Sequence, residues 1–151
     1  MPTTYDLLRR AERIETTAAE IYGALAAQFA ASPAARSLFE SLAAEELQHA
    51  SRIRLLTARY KHDARLVARR SADAPALEAC LAEAEGALAE IRTGRWRLDL
   101  AATKRRLGAL EDRLGVAHAE VLARDGNPDL REFFEQLARQ DAAHARLLIE
   151  S

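Results

Sequence analysis

Two segments of this chain place an acid three residues before a histidine inside an apolar helical stripe. The first ends with Glu46, His49 and Ala50, the second with Asp141, His144 and Ala145. Aligned without a gap, 33–50 and 128–145 share eight identical residues, among them Pro33/Pro128, Phe39/Phe134, Leu42/Leu137 and His49/His144. An acid and a histidine at i and i+3 project from one side of a helix. Two such helices face to face can supply most of a dinuclear metal site. Glu46 lies seven residues from Phe39 and Ile53, and His49 lies seven from Leu42 and Leu56, so both project from the apolar stripe. A carboxylate in a core costs several kcal/mol unless it is paired, protonated or bound to a metal. Four such groups in one core need a shared explanation.

A site of this kind needs one more carboxylate from each remaining helix. Glu15 lies 31 residues before Glu46, and Glu111 lies 30 before Asp141. Leu8, Ala11 and Tyr22 share the face of Glu15, while Leu107, Leu114 and His118 share that of Glu111. Tyr22 and His118 therefore stand at equivalent positions, two turns past their acids. Glu12 and Glu20 compete with Glu15, and Asp112 competes with Glu111. Glu45 and Glu120 read as solvated, His118 as a core histidine that can also support the site from behind, and His62 as a surface residue. Cys80 reads as buried and inert, and Trp96 as packing.

The elements that must position these groups are all helical. Ala, Leu, Arg and Glu dominate, and Gly and Pro are few. The first helix runs from a Thr3 or Thr4 cap to about Ala31. Ser32-Pro33 restarts the chain into a second helix reaching about Tyr60. Ser71–Ala74 is a break, with Asp73 as the cap of a third helix that ends at Thr93-Gly94. The fourth runs from about Trp96 to Ala123, striped by Leu100, Leu107, Leu114, Val121 and Leu122. Asp125-Gly126-Asn127-Pro128 turns the chain into the fifth. The fold class expected is all-α: one domain over residues 1–151, with hairpins at about 4–60 and 96–150. The 61–95 segment carries a crossover helix, roughly 18 residues at about 1.5 Å each, long enough to run most of the way along the bundle.

E-x6-Y followed by E-x-x-H, repeated across a crossover, resembles the rubrerythrin and bacterioferritin branch of the ferritin-like superfamily. The resemblance implies a ferritin-like four-helix bundle with two iron ions; manganese or zinc would also suit the ligands. It implies Glu15 and Glu111 as terminal ligands, Glu46 and Asp141 as bridges, and His49 and His144 on one ion each. Tyr22 matches the family's tyrosine behind the ligands, and His118 stands where its counterpart would be. Three features depart from the pattern. Asp141 is one methylene shorter than the usual glutamate, so bridging there should be asymmetric or need a closer helix. Leu114 replaces the extra glutamate of typical rubrerythrins. No rubredoxin-like cysteine pairs are present, since Cys80 is the single cysteine. These shift the resemblance toward a six-ligand, bacterioferritin-like centre.

The function expected is that of a soluble di-iron protein with ferroxidase or oxygen- or peroxide-reducing activity. Its electron donor would be a separate protein. The alternative is a non-catalytic helical interaction protein with a vestigial site. The net charge of −1 gives no basis for binding nucleic acid or an anionic membrane. The polar Met1–Arg10 segment and the lone cysteine point to the cytoplasm. The long crossover and Lys61–Arg70 suggest a homodimer.

Overall fold

The structure is a computed structural model that describes residues 2–63, 74–122 and 127–151. Among the described residues there are five α-helices: α1 (Thr4–Gln28), α2 (Pro33–Tyr60), α3 (Ala74–Arg92), α4 (Leu100–Ala117) and α5 (Pro128–Glu150). A π-helical turn, His118–Leu122, continues α4. Each start has a local cause. The Thr3 hydroxyl accepts from Asp6 N while the Asp6 carboxylate accepts from Thr3 N, a reciprocal cap. Ser32 and Asn127 cap α2 and α5, each just ahead of a proline in the first turn, which loses no needed hydrogen bond there. Gly94 ends α3 in the left-handed region, φ 71°, which a side chain would resist.

The apolar stripes close on one core. Leu7, Ile14, Tyr22 and Leu25 of α1 meet Phe39, Leu42 and Ile53 of α2, with Leu107 and Leu114 of α4 and Phe134 and Leu137 of α5 in the same cluster. Helix α1 packs along α2, α4 along α5, and α3 lies against α1 and α4. The expected hairpins and crossover are therefore all present. Helix α3 is fastened at its rim by Arg13–Glu85 at 2.7 Å, Arg92–Glu20 at 2.8 Å, and pairs of Arg106 with Glu90 and Arg113 with Glu83. Such exposed pairs contribute about 0–1 kcal/mol each. Its buried Leu77, Ala84 and Leu88 do more to hold it. No helix among the described residues is long and apolar enough to cross a membrane.

Three boundaries differ from the sequence reading. Helix α1 ends at Gln28 and turns through Phe29, whose N–H reaches back to Leu25 O. Helix α4 begins at Leu100, not Trp96, because Asp99 caps it by accepting from Ala102 N at 2.7 Å. Trp96 is left in the connection, where its indole N–H donates to Thr103 Oγ1 at 3.0 Å and Arg106 covers its ring at 4.1 Å. The fourth helix departs from α register at His118, so its far end is a π turn. The break at Ser71–Ala74, the Asp73 cap, most of Lys61–Arg70, and the side chains of Val121 and Leu122 lie outside the described residues.

Glycines on α4 set how closely it meets α5. A β-carbon at Gly115 would stand 3.3 Å from the Ala138 carbonyl oxygen and 3.5 Å from Asp141 Cβ. One at Gly108 would stand 3.2 Å from Ile149 Cγ1. Around Gly23 of α1 there is open space. Adding a side chain at the two positions should therefore have effects of opposite sign. Gly23→Ala should stabilise the protein by about 0.5–1 kcal/mol through helix propensity. Gly115→Val should destabilise it by about 1–3 kcal/mol through forced separation of α4 and α5. Denaturant unfolding monitored by circular dichroism measures both.

Candidate metal centre

The six expected ligands meet in the middle of the bundle. Glu15 comes from α1, Glu46 and His49 from α2, Glu111 from α4, and Asp141 and His144 from α5. None is more than 4 % exposed. Their ligand atoms fall into two sets, Glu15/His49/Asp141 and Glu46/Glu111/His144, with all atoms of a set within 4.8 Å of one another. The competing acids are engaged elsewhere. Glu12 takes Arg54 at 2.8 Å and Arg9 at 3.3 Å, Glu20 takes Arg92, and Asp112 is exposed.

Glu46 stands between the sets. Its Oε2 is 3.1 Å from His49 Nδ1 and its Oε1 is 2.8 Å from His144 Nδ1. The second contact is short without being aligned as a hydrogen bond, so it acts through charge. The two imidazoles lie nearly parallel, with centroids 5.6 Å apart. Glu15 turns Oε2 to His49 Nδ1 at 3.2 Å. The Tyr22 hydroxyl donates to Glu111 Oε1 across the hairpins. His118, fully buried, holds Asp141 Oδ2 through Nδ1 at 2.8 Å, with Nε2 3.4 Å from Glu15 Oε1. His118 thus makes one hydrogen bond, to Asp141, and a longer contact with Glu15 that is not a hydrogen bond.

Glu45 corrects the sequence reading. It is half-exposed, as a solvated acid would be, yet its Oε2 lies 2.6 Å from His144 Nε2. A carboxylate on the outer nitrogen fixes a histidine's tautomer and leaves the inner nitrogen free to ligate. The repeat held a faint signal for this: Gln140, another hydrogen-bonding residue, occupies the matching position. His62 and Glu120 are exposed and Cys80 is buried, as expected.

The donor set suits a cation. Buried side-chain atoms without a hydrogen-bond partner include Glu15 Oε1, Glu46 Oε1, Glu111 Oε2, Asp141 Oδ1, His118 Nε2 and His144 Nδ1. Buried polar atoms are ordinarily satisfied. Apart from Arg10 Nη1, the unsatisfied atoms among the described residues converge in a single interior, and five of those six belong to expected ligands. Four carboxylates also match the charge of two divalent ions.

A family model described as Rubrerythrin matches residues 6–94, more than half of the chain. The matched segment holds Glu15, Tyr22, Glu46 and His49, while Glu111, His118, Asp141 and His144 lie beyond it. No curated protein and no solved structure matches the chain.

Without a cation, protons must balance the charge. Burial, helped by the charges of Glu46 and Asp141, raises the Glu15 carboxyl well above the ordinary range. Burial and Glu46 do the same to Glu111. Burial would raise Glu46 too, but His144 and His49 outweigh it and hold Glu46 below the ordinary range. Burial would lower His144, but Glu46, Glu111 and Glu45 push it from 6.5 up to about 10. A folded pKa above the unfolded one gives stability that is complete below the unfolded value and lost as pH rises through the folded value. The metal-free protein should therefore melt at progressively lower temperature as pH rises from 6.5 toward about 10. His144→Gln should flatten that slope. Thermal melts in chelator check both, and a melting temperature rising across this interval would contradict the assignment.

Proposed function

Because the chain belongs to the rubrerythrin family, we propose that Glu15, Glu46, His49, Glu111, Asp141 and His144 hold a pair of iron ions used for ferroxidase chemistry or for reducing oxygen or peroxide. The observation that carries this reading is the pair of adjacent, buried acid-and-histidine sets, five of whose residues each keep a buried polar atom without a hydrogen-bond partner. Bound iron would supply the electrons for such a reduction. Mixed carboxylate and imidazole ligation suits iron or manganese, and zinc as well.

The chain's own part is to assemble, orient and screen. Glu46 presents one oxygen to each histidine's Nδ1. Glu45 accepts from His144 Nε2 and so leaves Nδ1 facing inward. Tyr22 fixes Glu111. Leu107, Leu114, Phe134 and Leu137 are buried in the same core, which screens the centre from bulk water. Loading near neutral pH would displace the proton that Glu46, Glu111 and Glu45 favour on His144, so affinity should fall as pH falls. A single cysteine cannot build a four-cysteine iron site, so these residues hold no such donor, and a separate electron-donor protein is part of the proposal.

The second reading is a non-catalytic helical interaction protein with a decayed centre. It draws on the family match ending at residue 94, before half of the ligands. Anaerobic Fe(II) titration separates the two. The iron reading expects two ions per chain, abolition or severe weakening of loading in His49→Ala and His144→Ala, and about 3 kcal/mol of stabilisation at saturating ion. Oxygen or peroxide consumption by the loaded protein then tests the activity. The second reading expects no uptake, and a Glu46→Leu variant at least as stable as the parent in chelator.

A further inference from the structure

His118 touches both acids of one ligand set and neither acid of the other. Its Nδ1 is 2.8 Å from Asp141 Oδ2, and its Nε2 is 3.4 Å from Glu15 Oε1. The Nδ1 contact is a well-formed hydrogen bond with a fully buried partner. The remaining oxygens divide accordingly. Glu15 turns Oε2 to His49, and Asp141 keeps Oδ1 without a partner. Glu46 has no such restraint, and its two oxygens address the two histidines separately. On the other side Tyr22 holds a single acid, Glu111. The equivalent positions of Tyr22 and His118 in the repeat therefore do unequal work.

We propose that His118 is a positioning residue that clamps the outer oxygens of Asp141 and Glu15, confines Asp141 to the Glu15/His49 ion, and leaves Glu46 as the sole carboxylate bridge. This rests on the reading of the cluster as a two-metal centre. Ring nitrogens lie on opposite edges of an imidazole, so one His118 ring can span two acids but cannot swing toward an ion without releasing Asp141. Asp141 has one methylene fewer than Glu46, so with Oδ2 held it lacks a free oxygen to offer the second ion. A β-carbon at Gly115 would stand 3.5 Å from Asp141 Cβ, so its absence leaves room for α4 to lie close to the short side chain that His118 holds. The π turn begins at His118 itself, so the backbone leaves α register where the clamp is set. The result is a centre with two chemically unequal ions.

Co(II) titration of the metal-free full chain, followed by calorimetry and visible absorption, tests this. The wild type should take up two Co(II) ions in two unequal steps. His118→Phe should weaken one step by about 10- to 100-fold and change its absorption, leaving the other step in place. His118→Asn, whose amide can still donate to Asp141 Oδ2, should restore much of the loss. If the Phe variant does not fold, His118→Gln, which reaches toward Glu15 but not Asp141, takes its place. A purely structural role would weaken both steps together, with no rescue by Asn. That outcome, or a Phe variant with the wild-type isotherm and spectrum, overturns the clamp while leaving the metal centre standing. A wild type that binds no Co(II) overturns the centre itself.

Discussion

Glu46 carries a negative charge in the driest part of the molecule, and the fold is arranged around compensating it. Two imidazoles, one from each hairpin, approach its two oxygens, and each imidazole is itself tied to further acids. Remove the compensation and a buried carboxylate is left alone, which costs several kcal/mol. The neighbouring acids answer the same constraint in the opposite direction, burial and the nearby charges raising Glu15 and Glu111 well above the ordinary carboxylate range. One interior thus pulls neighbouring carboxyls in opposite directions.

Much of this was legible in the sequence because the repeat supplied two independent copies of one pattern. Helix period, Pro restarts and glycine ends located the hairpins, and the acid-to-acid spacing selected Glu15 over Glu12 and Glu20. The structure gives a physical reason for that selection: arginines engage both competitors. The less legible features depend on inter-helix distances. Glu45 looks solvated in one dimension, and only the proximity of α5 makes it a partner of His144. The start of α4 was misplaced because Trp96 looks helical until Asp99 is seen to cap. The second contact of His118 joins the turn after α4 to Glu15 on α1, which no single-helix pattern encodes.

The short side chain at Asp141 and the glycine at 115 are best understood together. Dropping a methylene from a ligand withdraws its oxygens, and dropping a β-carbon from the facing helix lets the backbones close. The two changes offset each other across one helix pair, whereas the first hairpin keeps a full glutamate. The short acid and the missing β-carbon thus fit each other across one helix pair.

The way the ligands are divided has a topological consequence. The Glu15/His49 set needs Asp141 from the far end of the chain, and the Glu111/His144 set needs Glu46 from the near end. Neither hairpin folded by itself owns a complete set of three. An ion seated in either set would stitch residues about a hundred positions apart, closing a loop whose entropy the unfolded chain would otherwise keep. Capture would thus be withheld until both hairpins had docked. A half-formed chain would offer a passing cation three of the six ligands on one helix pair, but no more than two members of either set.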